Sequence, residues 1–265
     1  MRLHVSEAAN YIGLSNDTLR YYESMGIVTP QRDEENGYRV YDDWALHFLM
    51  DAKWYRSFGF PLSDVTGILQ SDSLPDILHK CYRQQSRLLH IIKDYQNCSR
   101  MLYLLVERIG RIDSSFGKFS YTVSPAVIYQ RHQRNPDKAY GSTLRRWKDL
   151  FPNVNHTFLM YPTEFADLLP ESEPYFGFSI SASDAVEHGI EPAPPAHYVS
   201  SMNCLYTVFR AEEAGTFIDS FRSQVLEPVE KMGKRITDSI WGNLIVRYHE
   251  DGRLFRYFEV WIPVD

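Results

Sequence analysis

The closing run Arg256-Tyr257-Phe258-Glu259-Val260-Trp261-Ile262-Pro263 carries the chain's most pointed chemistry. In a strand, period two puts Tyr257, Glu259 and Trp261 on one face and Phe258, Val260 and Ile262 on the other. A carboxylate set between two aromatic rings in an apolar groove is costly unless it is paired. A lipophilic organic cation would pair it, and the rings would add cation–π attraction. Two other readings stay open: Glu259 pairs with an internal arginine such as Arg247 or Arg256, or it faces solvent. Tyr129, Tyr161, Phe178 and Tyr206 are further candidates for the wall of such a groove. A register slip of one residue would exchange their faces. No nucleophile–base pair stands together by motif, so no catalytic residue is assigned.

Metal chemistry finds little support. The three cysteines (Cys81, Cys98, Cys204) form no paired motif, and the nine histidines are scattered. No metal site and no cofactor is therefore expected. Unpaired cysteines fit a reducing, cytoplasmic setting. Cys81 and Cys98 fall on an apolar helical seam, where buried small thiols are expected. The first 25 residues carry Glu7, Asp17, Arg20 and Glu23 and do not read as a signal peptide. No run approaches the roughly 18 apolar residues of a membrane span.

Three segments position these residues. Residues 1–75 read as short helices with a hairpin. Ser6 would cap a helix over Glu7 to Ile12, with Gly13 as its stop. Ser15 would cap a second helix, Asn16 to Met25, stopped by Gly26. Asn36-Gly37 signals a hairpin leading into Tyr38 to Tyr41. Helices over 42–58 and Ser63 to Leu69 follow. Two helices joined tightly at Gly13, with Ala9 small enough for a close crossing, have helix-turn-helix geometry. Residues 76–114 read as one long helix. Its stripe runs Ile77, Cys81, Gln84, Leu88, Ile91, Tyr95, Cys98, Leu102, Leu105, Ile109, Ile112, broken only by Gln84, and the 3.5-residue repeat predicts a coiled coil.

Residues 115–265 read as strand 119–130, helix 136–150 and strands 156–161 and 175–182. After a Pro-rich link come strand 198–209, helix 213–231 and strands 243–249 and 254–262. The expected fold is thus an all-α winged helix-turn-helix head, a long coiled-coil dimerisation helix, and an α+β domain of two strand–helix–strand–strand halves. Its helices would lie on one side of the sheet, leaving the other open to a ligand. The net charge of −6 divides as −5, +3 and −4 over the three segments. Any nucleic-acid contact must therefore rest on a few placed cations.

The ordered set Thr18-Leu19-Arg20-Tyr21-Tyr22-Glu23, Gly26-Ile27, Pro30, Arg32, Asn36-Gly37-Tyr38-Arg39-Val40-Tyr41 and Phe58-Gly59-Phe60 resembles the head of the MerR family of bacterial transcription regulators. That resemblance implies Thr18, Arg20, Tyr21, Tyr38, Arg39 and Arg56 at DNA. Arg20 would reach a base edge or phosphate, Arg39 would sit on the wing, and Arg56 would bind phosphate. Leu19 and Tyr22 would face the core, and Asp33-Glu34-Glu35 would point outward. It also implies a homodimer that twists promoter DNA for RNA polymerase.

The third segment resembles the GyrI-like effector-binding domain of drug-binding activators. That resemblance implies a ligand-contacting glutamate at Glu259, beside Tyr257 and Trp261. The resulting expectation is a ligand-responsive activator. The alternatives are a small-molecule hydrolase of the kind reported for some GyrI-like domains, or a drug-sequestering protein with a DNA-binding head.

Overall fold

A computed structural model describes residues 1–71, 73–131, 146–161, 176–194, 196–213 and 216–265. The expected helix start at Pro136, with Tyr140 and Leu144, lies outside the described residues, as do Tyr175 and Pro195. The chain divides into two compact units, Met1–Gln96 and Asn97–Asp265. No described helix is long and apolar enough to cross a membrane.

The first unit opens with β1 (Arg2–His4), α1 (Val5–Ile12) and α2 (Asn16–Ser24), followed by β2 (Gln31–Arg32) and β3 (Arg39–Asp42). Next come α3 (Asp43–Ser57) and α4 (Leu62–Leu69), then the start of α5 (Leu74–Gly110). The head is not all-α: β1, β3 and β2 form a three-stranded antiparallel sheet. β1 was invisible as a strand because only three residues pair, Arg2 to His4 against Asp42 to Val40. Ser6 does not cap α1. The helix begins two residues earlier, at Val5, with the Glu7 carboxylate accepting the His4 backbone N–H at 2.8 Å. Ser15 caps α2 as expected, its Oγ accepting the Thr18 N–H at 3.0 Å. Ala8, Ala9, Ile12, Leu19, Tyr22, Tyr41, Leu46 and Leu49 form the head core.

Gly13 ends α1 at φ 71°, and Lys53 Nζ donates to the neighbouring Ile12 carbonyl at 2.6 Å. A Cβ at Gly13 would sit 3.0 Å from that ammonium. Gly13→Ala should therefore cost the head about 1 kcal/mol or more in urea unfolding, from left-handed strain and a disturbed cap together. An unchanged midpoint would contradict this.

In the second unit, α5 ends at Gly110 and α6 (Ile112–Ser115) follows. The strands are β4 (Ser120–Val123), β5 (Val127–Arg131), β6 (Val154–Met160), β7 (Phe176–Ser181), β8 (Ala196–Val199), β9 (Asn203–Ala211), β10 (Ile240–Glu250) and β11 (Arg253–Pro263). They form one antiparallel sheet in the order β4-β9-β11-β10-β6-β7-β5-β8. The expected single strand 119–130 is two strands, because Pro125 cannot donate to a ladder and the chain breaks there. The expected strand 198–209 likewise divides into β8 and β9.

Among the described residues, this sheet carries α7 (Ala182–Glu187) and α8. The latter is α-helical over Phe217–Phe221, π-helical over Arg222–Leu226 and α-helical again over Glu227–Lys231. One face of the sheet is buried under α8, with Phe158, Phe209, Phe217, Phe221, Phe258, Val260 and Ile262 in a single core. Phe158 touches the rings of Phe209, Phe217, Phe221 and Phe258 edge-on at 5.1–6.2 Å. On the same face, Trp147, Phe178, Ile180 and Ala185 form a second core. Alternation puts Glu259, Trp261, Asn243 and Thr157 on the opposite face.

Candidate nucleic-acid interface and ligand site

In the head, α2 presents Arg20 and Tyr21 to solvent while Leu19 and Tyr22 are buried, as the three-residue spacing requires. Thr18 is half-buried, its Oγ1 2.8 Å from Ser15 Oγ. Tyr38 is exposed on the wing. Arg39 is not a free wing cation: its Nε lies 2.8 Å from Glu23 Oε2, tying the wing to α2. Tyr41 also donates to Glu23. Burial first, and then that bond, push the Tyr41 hydroxyl well above its usual range. Arg56 is exposed and donates to the Phe60 carbonyl. Of the wing acids, Asp33 serves the turn by accepting the N–H groups of Glu35 and Asn36 at 3.0 and 3.2 Å. Glu34 and Glu35 are exposed.

The second unit holds a cavity of about 620 Å³ on the open face of its sheet. Arg108 of α5 and Arg111, just past its end, line it, together with Tyr206, Asn243, Glu259 and Trp261. Glu259 is buried at its floor. Asn243 Nδ2 donates to Glu259 Oε1 at 3.0 Å, and Arg108 Nε lies 3.6 Å from the same oxygen. Burial holds the carboxyl above its usual range, opposed by Arg108 and the Asn243 bond. Tyr206 is pushed up to about 12, by burial and then by the Glu259 charge.

The polar row continues across the sheet. Thr157 Oγ1 donates to Asn243 Oδ1 at 2.7 Å and stands 2.6 Å from Ser179 Oγ. Register aligns the row, with Glu259 opposite Asn243 and Asn243 opposite Thr157. A β-bulge between Leu244 and Val246 follows directly and leaves Ile245 unpaired in the ladder, clustered with Ile112 and Val208.

Of the seven residues expected in the groove, Glu259, Trp261 and Tyr206 line the cavity. Tyr257 shares their face but packs on Phe116 and Tyr248, at 5.8 and 5.9 Å. Tyr129 is on the open face but roofed over in a cluster with Val127, Leu159 and Trp241. Tyr161 follows the end of β6 and does not line the cavity. Phe178 faces the helix side: β7 alternates Phe176, Phe178 and Ile180 against Gly177, Ser179 and Ser181, and the apolar set takes the covered core.

Neither Arg247 nor Arg256 pairs with Glu259. Arg256 donates instead to the Glu212 and Glu213 carbonyls, at 3.0 and 2.8 Å. Arg108 and Asn243 are the residues that sequence reasoning missed. Asn243 had a signal, a lone amide in the otherwise apolar run Ile240 to Ile245. In the single chain Cys98 is exposed on α5, while Cys81 is half-buried against the head core.

A helix-turn-helix carrying a hairpin wing, with Arg20 and Tyr21 exposed on its second helix, defines the chain as a helix-turn-helix regulator. Residues 3–72 match the family model described as MerR HTH family regulatory protein. The chain is 33% identical over 117 residues to the uncharacterized HTH-type transcriptional regulator slr0701 of Synechocystis sp., covering 41% of this chain and 85% of that one. The chain belongs to the MerR HTH family. It is also 32% identical over 89 residues to the HTH-type transcriptional activator TipA of Streptomyces coelicolor, spanning 34% of each. A chain of the cryo-EM EcmrR–DNA complex in EcmrR-RPo aligns over 99% of both chains at 16% identity, with a TM-score of 0.37, too loose to carry an argument.

Proposed function

We propose that this MerR-family regulator is a cytoplasmic homodimer that distorts promoter DNA for RNA polymerase under the control of a small lipophilic cation. In this reading residues 1–75 bind DNA through Thr18, Arg20, Tyr21, Tyr38, Arg39 and Arg56. Residues 76–114 pair two copies, and 115–265 form a GyrI-like effector-binding domain. The strand order supports two strand–helix–strand–strand halves, β9-β11-β10 beside β6-β7-β5. The pairing helix is supported by the apolar side chains that α5 leaves exposed, among them Leu88, Ile91, Tyr95, Leu102, Leu105 and Ile109.

The observation that carries the ligand reading is the buried Glu259 carboxylate, opening into a cavity with Trp261 and Tyr206 on its wall. A buried carboxylate selects a cation, and ring faces select one with a lipophilic surface. The test is transcription from the cognate promoter with purified protein and polymerase, with and without tetraphenylphosphonium. Ligand-dependent activation is expected. Binding without any change in transcription would favour sequestration, and turnover of an ester-bearing cation such as acetylcholine, offered in place of the phosphonium, would favour hydrolysis.

Arg20→Ala should weaken operator binding by about 1–3 kcal/mol if it reads a base, measured by gel shift at fixed salt. With so few cations on the head, affinity should fall only shallowly with salt. A steep polycation slope would contradict the contact set.

A further inference from the structure

A second cavity, of about 680 Å³, lies in the same unit. Its wall is mainly apolar, with Met101, Leu105, Phe151, Val154 and Ile245. It shares three residues with the first cavity: Leu104, Arg108 and Asn155. Arg108 therefore stands between the two. Its Nη1 donates to Asn155 Oδ1 at 2.7 Å, and its Nε reaches Glu259 Oε1 only at 3.6 Å. The guanidinium side chain is 28% exposed while the carboxylate side chain is 5% exposed.

The two partners are thus unequally committed. Glu259 is sealed in and needs a cation. Arg108 is partly hydrated, holds Asn155 more closely than Glu259, and can return to water at modest cost. An organic cation arriving at Glu259 meets a site already occupied by the protein's own positive charge. Both cannot be accommodated at one carboxylate without like-charge repulsion.

We propose that Arg108 is a displaceable internal counter-cation of Glu259 and the movable partition between the two cavities. The ligand it admits is then an amphiphilic cation, with its charge at Glu259 and its apolar tail in the second chamber. This rests on the cationic-ligand reading above. Because Arg108 belongs to α5, ligand entry is felt by that helix as the loss of an anchor on the sheet.

Calorimetric titration of the full-length protein at pH 8.5 with tetramethylammonium and octyltrimethylammonium tests this. Removing the competing cation with Arg108→Gln should tighten octyltrimethylammonium binding about tenfold, while Arg108→Lys, which keeps the charge, should resemble wild type. Octyltrimethylammonium should bind wild type far more tightly than tetramethylammonium, by roughly threefold to fourfold per buried methylene. Met101→Gln, in the second chamber, should erase much of that advantage and leave tetramethylammonium binding unchanged. A readout without substitution is the Arg108 Nε–H resonance in arginine-labelled wild type, which should move to a solvated position at saturation.

If wild type binds but Arg108→Gln binds equally or more weakly and the resonance stays in place, displacement is overturned. If tail length has no effect, the second chamber is overturned. If no cation binds wild type or variant, the cationic-ligand reading itself falls, and this proposal with it.

Discussion

Replacing Gly242 with alanine is expected to destabilise the second unit by about 3 kcal/mol or more, enough to unfold many domains of this size. The cause is steric. A Cβ at Gly242 would lie 2.2 Å from the Glu259 carbonyl oxygen and 2.6 Å from Phe158 Cε1. Neither neighbour can retreat. The Glu259 carbonyl belongs to β11 in the middle of the sheet, where Gly242 pairs with Val260. Phe158 is wedged among four other rings. Any backbone shift at Glu259 would also carry its carboxylate off the Asn243 amide, so cation binding should be lost with stability. Gly110 is the control. It lies at the end of α5 with nothing within 4 Å of a built Cβ, so Gly110→Ala should be neutral or stabilising by up to about 1 kcal/mol. Urea unfolding followed by tryptophan fluorescence of the second unit checks both, and equal midpoints would refute the packing argument.

Asn243→Ala is expected to cost about 2–3 kcal/mol at neutral pH, because it strands buried polar groups on both sides. Glu259 would lose a donor, and Thr157 would lose its 2.7 Å acceptor. The loss should depend on pH. Burial raises the Glu259 pKa in the folded protein above its unfolded value. The folded state therefore holds its proton more firmly, and this group's contribution is fully present below the unfolded carboxylate pKa and is lost as pH rises through the folded one. Asn243 favours the charged form, so removing it raises the folded pKa further. The penalty of Asn243→Ala should shrink on acidification through the carboxylate range. In a Glu259→Gln background the penalty should be smaller at neutral pH, with the pH dependence gone. A double-mutant cycle that gives additive, pH-independent losses would show that the two residues are not coupled.

Much of the head was legible because its signals are local. Ser15 caps the helix it precedes, Gly13 and Gly26 take positive φ where a helix must turn, and Leu19 and Tyr22 share a face by spacing alone. The alternation over 257–262 was legible for the same reason: one face of β11 meets the phenylalanine core and the other meets the cavity. What stayed hidden is non-local. Helical periodicity shows which face of α5 Arg108 occupies, but not that a strand 150 residues later brings a carboxylate to it. Phe178 lies on the covered face because the alternation of β7, not aromatic character, decides which way it turns. The small residues Gly177, Ser179 and Ser181 marked the open face. Arg39 reads as a wing contact to DNA, and its pairing with Glu23 stayed hidden because Glu23 lies on another element.

The outer strands of the large sheet have a consequence for how it is assembled. β4 leads into β5 yet hydrogen-bonds β9, while β8 leads into β9 yet hydrogen-bonds β5. Each end of the segment is thus buckled to the far side by its neighbour's border strand. Such interlacing makes early pieces wait for late ones, so folding is expected to be slow and all-or-none. A protease that nicks the exposed stretch near Pro192 should leave two fragments that stay clasped together and separate only in denaturant.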